Sequence, residues 1–129
     1  MTGGQWLLMH FFKPTEFLCK CGCGLGTEEM GFHFVKCLDL ARKDLGRPIV
    51  VTSGFRCKTH NEAIGGSPTS SHLIGVAADL SDGKNPQTRG MLVYALYRNG
   101  IRQIEVSRDG HVHAMLDRMK PSPFVGIEP

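Results

Sequence analysis

The chain has 129 residues, a length that fits one compact domain with a true core and leaves no room for a second full module. Its net charge of +3 comes from 15 basic and 12 acidic residues. The basic residues are scattered and form no run of the kind that a nucleic-acid arm requires, so we expect no nucleic-acid partner. A mildly basic surface is compatible with an anionic polymer but does not identify one.

The N-terminal segment contains the apolar stretch WLLMHFF at residues 6–12. It is too short to cross a bilayer, no basic residue precedes it, and no small-residue cleavage site follows it. We therefore expect core or strand here, with no signal peptide and no membrane partner. The domain is predicted to span residues 11–119, between a flexible N-terminus at 1–10 and a C-terminal tail at 120–129.

The five cysteines are an odd number, which argues against the fully paired disulfide framework of a secreted protein. Cys19, Cys21 and Cys23 alternate with other residues. This spacing could hold a soft metal, but it lacks the two-residue gap of ordinary zinc knuckles. Reduced thiols in a tight glycine-rich turn are the simpler interpretation, and a redox or metal-handling function built on the cluster is an alternative.

The first long helix is predicted to begin at Thr27, which can cap it and is followed by two acidic residues, and to end before Gly46. Apolar residues recur within it at intervals of three and four, which indicates one face packed on a core. These residues are Met30, Phe34, Cys37, Leu38, Ala41 and Leu45.

The elements after this helix alternate between short strands and helices. The predicted ranges are a strand at 48–52, a short helix at 59–64, a strand at 75–80, a helix at 88–99, and strands at 102–106 and 111–116. Helices early and antiparallel-looking strands late predict an α+β fold with a small antiparallel sheet and flanking helices.

Two pairs of residues suggest metal chemistry. A zinc hydrolase needs three imidazole or carboxylate ligands and one open position. His72 and Asp79 are seven residues apart, so the chain must turn between them if both are to reach one site, and Gly75 suits such a turn. His111 and His113 are two apart in a strand, which places them on one face. Six histidines in a short chain produce such pairs often, so spacing alone does not establish a metal site.

The surrounding strings are more specific. Residues 70–80 read SSHLIGVAADL and residues 52–56 read TSGFR. They resemble the S-x-H-x-x-G-x-A-x-D and S-G-[FY]-R motifs of the zinc D-Ala-D-Ala carboxypeptidase family, which is grouped with murein endopeptidases, D-Ala-D-Ala dipeptidases and small hedgehog-like zinc domains. The resemblance covers roughly residues 11–117 and includes the strings FKPTEFLCKCGCG at 12–24 and NEAIGG at 61–66.

The resemblance implies a zinc site on the sheet, with one Zn²⁺ per chain bound by His72, Asp79 and His113. It also implies that Arg56 contacts the substrate and that Ser70 helps to hold the peptide. A planar, permanently charged guanidinium suits a terminal carboxylate or a developing oxyanion, although a surface salt bridge is the simpler interpretation of Arg56.

The catalytic base is an open question. Relatives carry either an acidic residue three positions before the last ligand or a histidine two positions before it. Gly110 occupies the first position and His111 the second, so His111 is predicted to be the base. Asp109 and Glu105 are alternatives, each also interpretable as a solvated charge. Met115 stands where many phage-like relatives have an aspartate.

The substrate class follows from the resemblance. It implies hydrolysis of D-Ala-containing stem peptides of bacterial peptidoglycan, as a carboxypeptidase or an endopeptidase. Without a signal peptide, the protein is expected to reach the wall as a phage endolysin or tail protein or after release from the cytoplasm, and to act as a monomer. The main alternative is a non-catalytic zinc-binding domain of the same fold, used for recognition or structure.

Overall fold

The computed structural model describes residues 1–81 and 85–127. The helices are α1 (Gly3–Trp6), α2 (Phe32–Leu45), α3 (Lys58–Ala63) and α4 (Pro86–Arg98), with 3₁₀ turns at Pro14–Phe17 and Ser71–Ile74. The strands are β1 (Val50–Ser53), β2 (Ala77–Ser81), β3 (Gln103–Val106), β4 (Val112–Met115) and β5 (Phe124–Ile127).

The strands form one sheet in the order β1-β2-β4-β3-β5. All neighbours are antiparallel except β5, which runs parallel to β3. The predicted α+β fold with a small sheet and flanking helices is confirmed, and the sheet is antiparallel as expected except for the β3–β5 pair, which makes it mixed. The parallel strand comes from the segment expected to be a C-terminal tail, and Phe124 N donates to the carbonyl of Arg102 at 2.7 Å where β5 joins the sheet.

The N-terminal segment is docked, whereas a flexible segment was expected. Thr2 and Gln5 close a capping box around α1, and Trp6 is 7 % exposed within the core. The Met1 ammonium group donates to the carbonyls of Glu28 and Met30, at 2.6 and 2.9 Å. The described residues 6–12 form no strand and contribute Trp6 and Phe12 to the core.

This docking explains why α2 begins at Phe32 instead of Thr27. The carbonyls of Thr27, Glu28 and Met30 accept hydrogen bonds from the N-terminal segment, so they are committed to a loop. The helix ends as predicted at Gly46, which adopts a left-handed φ of 76°. The other predicted elements are present with ends displaced by one or two residues, and His111 therefore falls just before β4.

The core lies between one face of the sheet and the packed pair α2 and α4. Its fully buried residues include Phe34, Leu38, Ala41, Leu80, Leu92, Leu96, Ile104, Val112 and Ala114. Along β2, β3 and β4 these apolar residues alternate with polar ones, which places the polar side chains on the opposite face. None of the described helices combines the length and the hydropathy that a bilayer crossing requires.

Candidate metal centre

Three polar side chains share the sheet face that points away from the core. Asp79 of β2 pairs directly with His113 of β4, which in turn pairs directly with Glu105 of β3. Residues directly opposite each other in adjacent strands project to the same side of a sheet. The register therefore brings a carboxylate, an imidazole and a second carboxylate into one row.

His72 reaches this row from the 3₁₀ turn Ser71–Ile74. The turn ends at Gly75, which has a left-handed φ of 73°. A Cβ on Gly75 would lie 1.9 Å from the carbonyl oxygen of Glu29, so only glycine fits there. The turn that the sequence requires between His72 and Asp79 is thus present, and it buries His72 almost completely.

The ligand atoms of His72, Asp79 and His113 all lie within 4.8 Å of one another. Asp79 Oδ1 is 3.3 Å from His72 Nε2 and 2.8 Å from His113 Nδ1. Burial raises the pKa of Asp79, but the hydrogen bonds and charges of the two histidines outweigh it and hold that pKa well below its usual range. Asp79 is therefore ionised at neutral pH.

The residues present fit a zinc ion. His72 Nδ1 lies 2.7 Å from the carbonyl oxygen of Gly54. A carbonyl can only accept, so Nδ1 carries the proton and Nε2 keeps its lone pair for a cation, as in metal-binding histidines generally. Two imidazoles and one carboxylate form a donor set typical of catalytic zinc, which leaves a fourth position open.

Arg56 lies beside Asp79 in the cavity and does not form the surface salt bridge that was the simpler expectation from the sequence. Its Nη2 is 3.0 Å from Asp79 Oδ2, its Nε donates to Ser53 Oγ at 3.3 Å, and its Nη1 is 3.5 Å from Asn61 Oδ1. The arginine holds the carboxylate oxygen that the histidines do not contact. It thereby orients Asp79 and lines the same cavity.

Ser70 is placed at the start of the His72 turn. Its hydroxyl oxygen accepts from the backbone N–H of His72 at 3.3 Å and so caps the turn, and its side chain lines the cavity.

His111 lies at the rim of the cavity, in the turn before β4, with 47 % of its side chain exposed. Its Nδ1 is 2.9 Å from Asp109 Oδ1, and the Ser107 hydroxyl donates to the same oxygen. These bonds, first that of Ser107 and then that of His111, hold the pKa of Asp109 well below its usual range. Asp109 is thus a poor proton acceptor at neutral pH, and its geometry suits orientation of the imidazole.

The cavity in front of these residues has a volume of about 670 Å³. Besides the residues already described, Thr52, Ser67 and Arg108 line it, and Glu105 faces it from β3. The structure therefore brings every predicted site residue to one cavity, with His72, His113 and Arg56 each in contact with Asp79.

Three supporting groups were not identified from the sequence. The Gly54 carbonyl fixes the tautomer of His72. Asn61 is 2 % exposed and links Arg56 to the carbonyl of Ser67 through its Nδ2, at 2.9 Å. Gly54 and Asn61 lie in the quoted strings TSGFR and NEAIGG, which could have directed attention to them.

The third group is a buried network behind His72. The Ser71 hydroxyl donates to Asp117 Oδ2 at 2.7 Å, and Lys120 Nζ donates to the Ser71 oxygen at 2.8 Å. Nothing in the local sequence marks this contact, because it joins residues more than 40 positions apart.

Comparison with known proteins supports this architecture. A family model described as Peptidase M15 matches residues 10–114, well over half of the chain. The chain belongs to the peptidase M15 family.

Among solved structures, this M15 peptidase is similar to the L-Ala D-Glu endopeptidase ChiX of Serratia marcescens. The TM-score is 0.54 at 22% sequence identity, with 74% of this chain and 86% of that chain covered. At this identity the likeness shows a shared fold. No curated protein sequence matches the M15 peptidase at a significant level.

Proposed function

We propose that this M15 peptidase is a zinc-dependent hydrolase of D-Ala-containing stem peptides in bacterial peptidoglycan, acting as a carboxypeptidase or an endopeptidase. The observation that carries the proposal is the convergence of His72, Asp79 and His113 on one point of a wide cavity. A cavity of about 670 Å³ has the size of pockets that enclose small organic ligands, so a few peptide residues fit.

His72, Asp79 and His113 would hold the zinc ion. When bound, zinc supplies the Lewis acidity that amide hydrolysis needs at neutral pH. The protein contributes a preset site, because Gly54 orients His72 and Arg56 orients Asp79 before any ligand arrives.

Arg56 and Ser70 would contact the substrate at the wall of the cavity. The Arg56 guanidinium has five donors, and those not engaged by Asp79 and Ser53 suit a peptide carboxylate or a developing oxyanion. Its weak 3.5 Å contact with Asn61 is the one most easily exchanged for a substrate oxygen.

His111 is the proposed base. Asp109 engages Nδ1, which leaves Nε2 to take a proton from the attacking water and to return it to the leaving amine. Glu105 is the second candidate, because the sheet register places it on the metal face, directly opposite His113. Asp109 is better assigned to positioning His111 than to proton transfer.

The deciding experiment is digestion of purified peptidoglycan with zinc-loaded protein, followed by mass spectrometry of the new termini. Release of free D-alanine identifies a carboxypeptidase, and cleavage at an internal D-Ala bond identifies an endopeptidase. Cleavage between L-Ala and D-Glu would overturn the proposed D-Ala specificity and keep the peptidase. A folded, zinc-loaded protein that produces no new termini would instead support a non-catalytic zinc domain. His113→Ala is the inactive control.

The proposal includes a monomer acting at the bacterial wall, as an endolysin or after release from the cytoplasm. Sedimentation of the zinc-loaded protein tests whether it is a monomer.

A further inference from the structure

A second group of metal-ligating side chains lies outside the peptidase cavity. The sulfur atoms of Cys19, Cys21, Cys23 and Cys57 all lie within 4.8 Å of one another. Cys21 Sγ is 3.4 Å from Cys19 Sγ and 3.6 Å from Cys57 Sγ. The first three belong to the loop after the Pro14–Phe17 turn, and the fourth comes from the loop after β1.

These sulfur separations discriminate between possible states of the cluster. A disulfide requires its sulfurs at about 2.05 Å, well below the observed values. Four thiolates around a tetrahedral zinc, with Zn–S bonds of about 2.3 Å, lie roughly 3.8 Å from one another. The two separations of 3.4 and 3.6 Å are close to this value, and all four sulfurs lie within 4.8 Å of one another, so the cluster can close around one metal ion.

Backbone donors also point at the sulfurs. The N–H of Cys57 donates to Cys19 Sγ at 3.4 Å, and the N–H of His60 donates to Cys57 Sγ at 3.4 Å. Backbone N–H groups that donate to sulfur are the supporting contacts expected around sulfur ligands of a metal. Cys21 and Cys23 are exposed, so a cation can enter from solvent, while Cys19 is buried.

We propose that Cys19, Cys21, Cys23 and Cys57 bind a second zinc ion in a closed, structural site. Four sulfur ligands complete a tetrahedron and leave no position for substrate, unlike the peptidase site. The cysteines are free, as the sequence interpretation of reduced thiols expected. That interpretation considered only Cys19, Cys21 and Cys23, because Cys57 is separated from Cys19 by 38 residues. The chain would then hold two zinc ions, where one was expected.

The second ion would fix the position of the segment that carries Gly54 and Arg56, two residues of the peptidase site. Cys57 directly follows Arg56. Gly54, which lies two residues before Arg56, accepts a hydrogen bond from His72 Nδ1 through its carbonyl oxygen. Gly54 also packs against Phe17 so closely that a Cβ there would lie 2.7 Å from the Phe17 Cα. A metal that ties the 19–23 loop to Cys57 closes a long loop at the point where Arg56 is positioned. This consequence for activity rests on the proposed function, whereas the metal site does not.

Metal analysis of the full-length protein tests the site. We expect two zinc ions per chain in the wild type, one in the double variant Cys21→Ser/Cys23→Ser, and one in His113→Ala. Cys37→Ala, which removes a buried thiol outside the cluster, should keep two. If only the peptidase site fails to bind, the wild type and His113→Ala will each hold one zinc, and the cysteine double variant will hold none.

Cobalt substitution provides a readout that does not depend on folding of the cysteine variants. Cobalt-loaded wild type and His113→Ala should both show thiolate-to-cobalt charge transfer in the near ultraviolet and the visible bands of a tetrahedral sulfur site. Absence of these bands, a disulfide among the four cysteines in mass spectra, or iron in place of zinc in the purified protein would overturn the proposal. Loss of the bands in Cys37→Ala would overturn it as well.

Discussion

The two oxygens of the Asp79 carboxylate have different partners. Oδ1 faces the two histidines, and Oδ2 is held by the Arg56 guanidinium. This division would let the Asp79 side chain bind the proposed metal through Oδ1 while Arg56 fixes its orientation through Oδ2. It also links the proposed metal site to the proposed substrate contact through a single salt bridge.

Replacement of Asp79 tests the ligand set. Asp79→Asn keeps the shape of the side chain but removes its charge, so we expect zinc affinity to fall by at least ~100-fold, more than loss of a supporting residue usually costs. Competition with a chelator of known affinity measures the change. Asp44→Asn, which alters an exposed partner of Arg98, is the matched control and should bind zinc as the wild type does. Equal affinities in both variants would exclude Asp79 as a ligand.

A conservative replacement distinguishes the effect of the planar Arg56 guanidinium from the effect of its positive charge alone. Lysine keeps the charge but lacks the planar fork that contacts Ser53 and Asp79. We expect Arg56→Lys to lose at least ~10-fold in kcat/KM toward wall peptides, about 1.4 kcal/mol, with zinc content unchanged. Wild-type kinetics in Arg56→Lys and in Arg56→Ala would contradict a role in catalysis.

The base can be assigned by comparing two variants. If His111 transfers the proton, His111→Ala keeps its zinc and loses ~10² to 10⁴ in kcat, while Glu105→Gln retains most activity. The opposite pattern would assign the base to Glu105. Asp109→Asn should show a smaller loss than His111→Ala, because Asp109 acts through the imidazole.

Among the elements, the 3₁₀ turn that carries His72 depends on the segment after β4. Asp117, 6 % exposed, accepts from the Ser71 hydroxyl, and Gln103 Nε2 donates to the Asp117 carbonyl at 2.9 Å. Lys120 donates to the same Ser71 hydroxyl. The proposed metal ligand His72 is thus supported by residues distant in sequence.

Asp117→Asn should weaken this support and change the acid sensitivity of the fold. Burial raises the pKa of Asp117, but the Ser71 and Met119 hydrogen bonds and the Lys120 charge outweigh it and lower that pKa. The folded protein therefore binds fewer protons than the unfolded chain, and the stabilisation is present above pH ~4 and lost as the pH falls further. We expect a loss of about 1 to 3 kcal/mol at pH 7 from one broken buried hydrogen bond.

Urea unfolding of wild type and Asp117→Asn at pH 7 and pH 3 measures both effects. The difference between the two proteins should shrink at the lower pH. A difference that stays constant would show that ionisation of Asp117 does not stabilise the fold.

In the molecule as a whole, both terminal segments belong to the folded unit. Trp6 packs on Phe17, with ring centroids 5.5 Å apart, and donates its indole N–H to the Thr27 carbonyl at 3.1 Å. Trp6→Ala should lower the free energy of unfolding by about 3 to 5 kcal/mol. Leu7→Ala, one residue away and 87 % exposed, should change it by less than ~0.5 kcal/mol. Equal effects in thermal or urea unfolding would contradict docking of this segment.

The fold class and most elements were predictable because they depend on local patterns. The apolar stripe of α2, the β-branched run of β1 and the stop at Gly46 reflect periodicity and backbone preferences within a few residues. Trp6 and β5 lie outside the predicted boundaries at residues 10 and 119, and no local pattern marks their packing, because distant parts of the chain hold them.

In the candidate site, too, some features follow from local motifs and others depend on tertiary contacts. The contiguous strings at 52–56 and 70–80 pointed to Arg56, His72 and Asp79, whereas His113 was assigned through the family resemblance. The roles of these residues in binding metal and substrate stay predictions. The pairing of Arg56 with Asp79 and the approach of Cys57 to the 19–23 loop depend on strand register and loop packing. These contacts, which join residues 23 and 38 positions apart, leave no signature in one sequence, because each partner's local pattern is complete without the other.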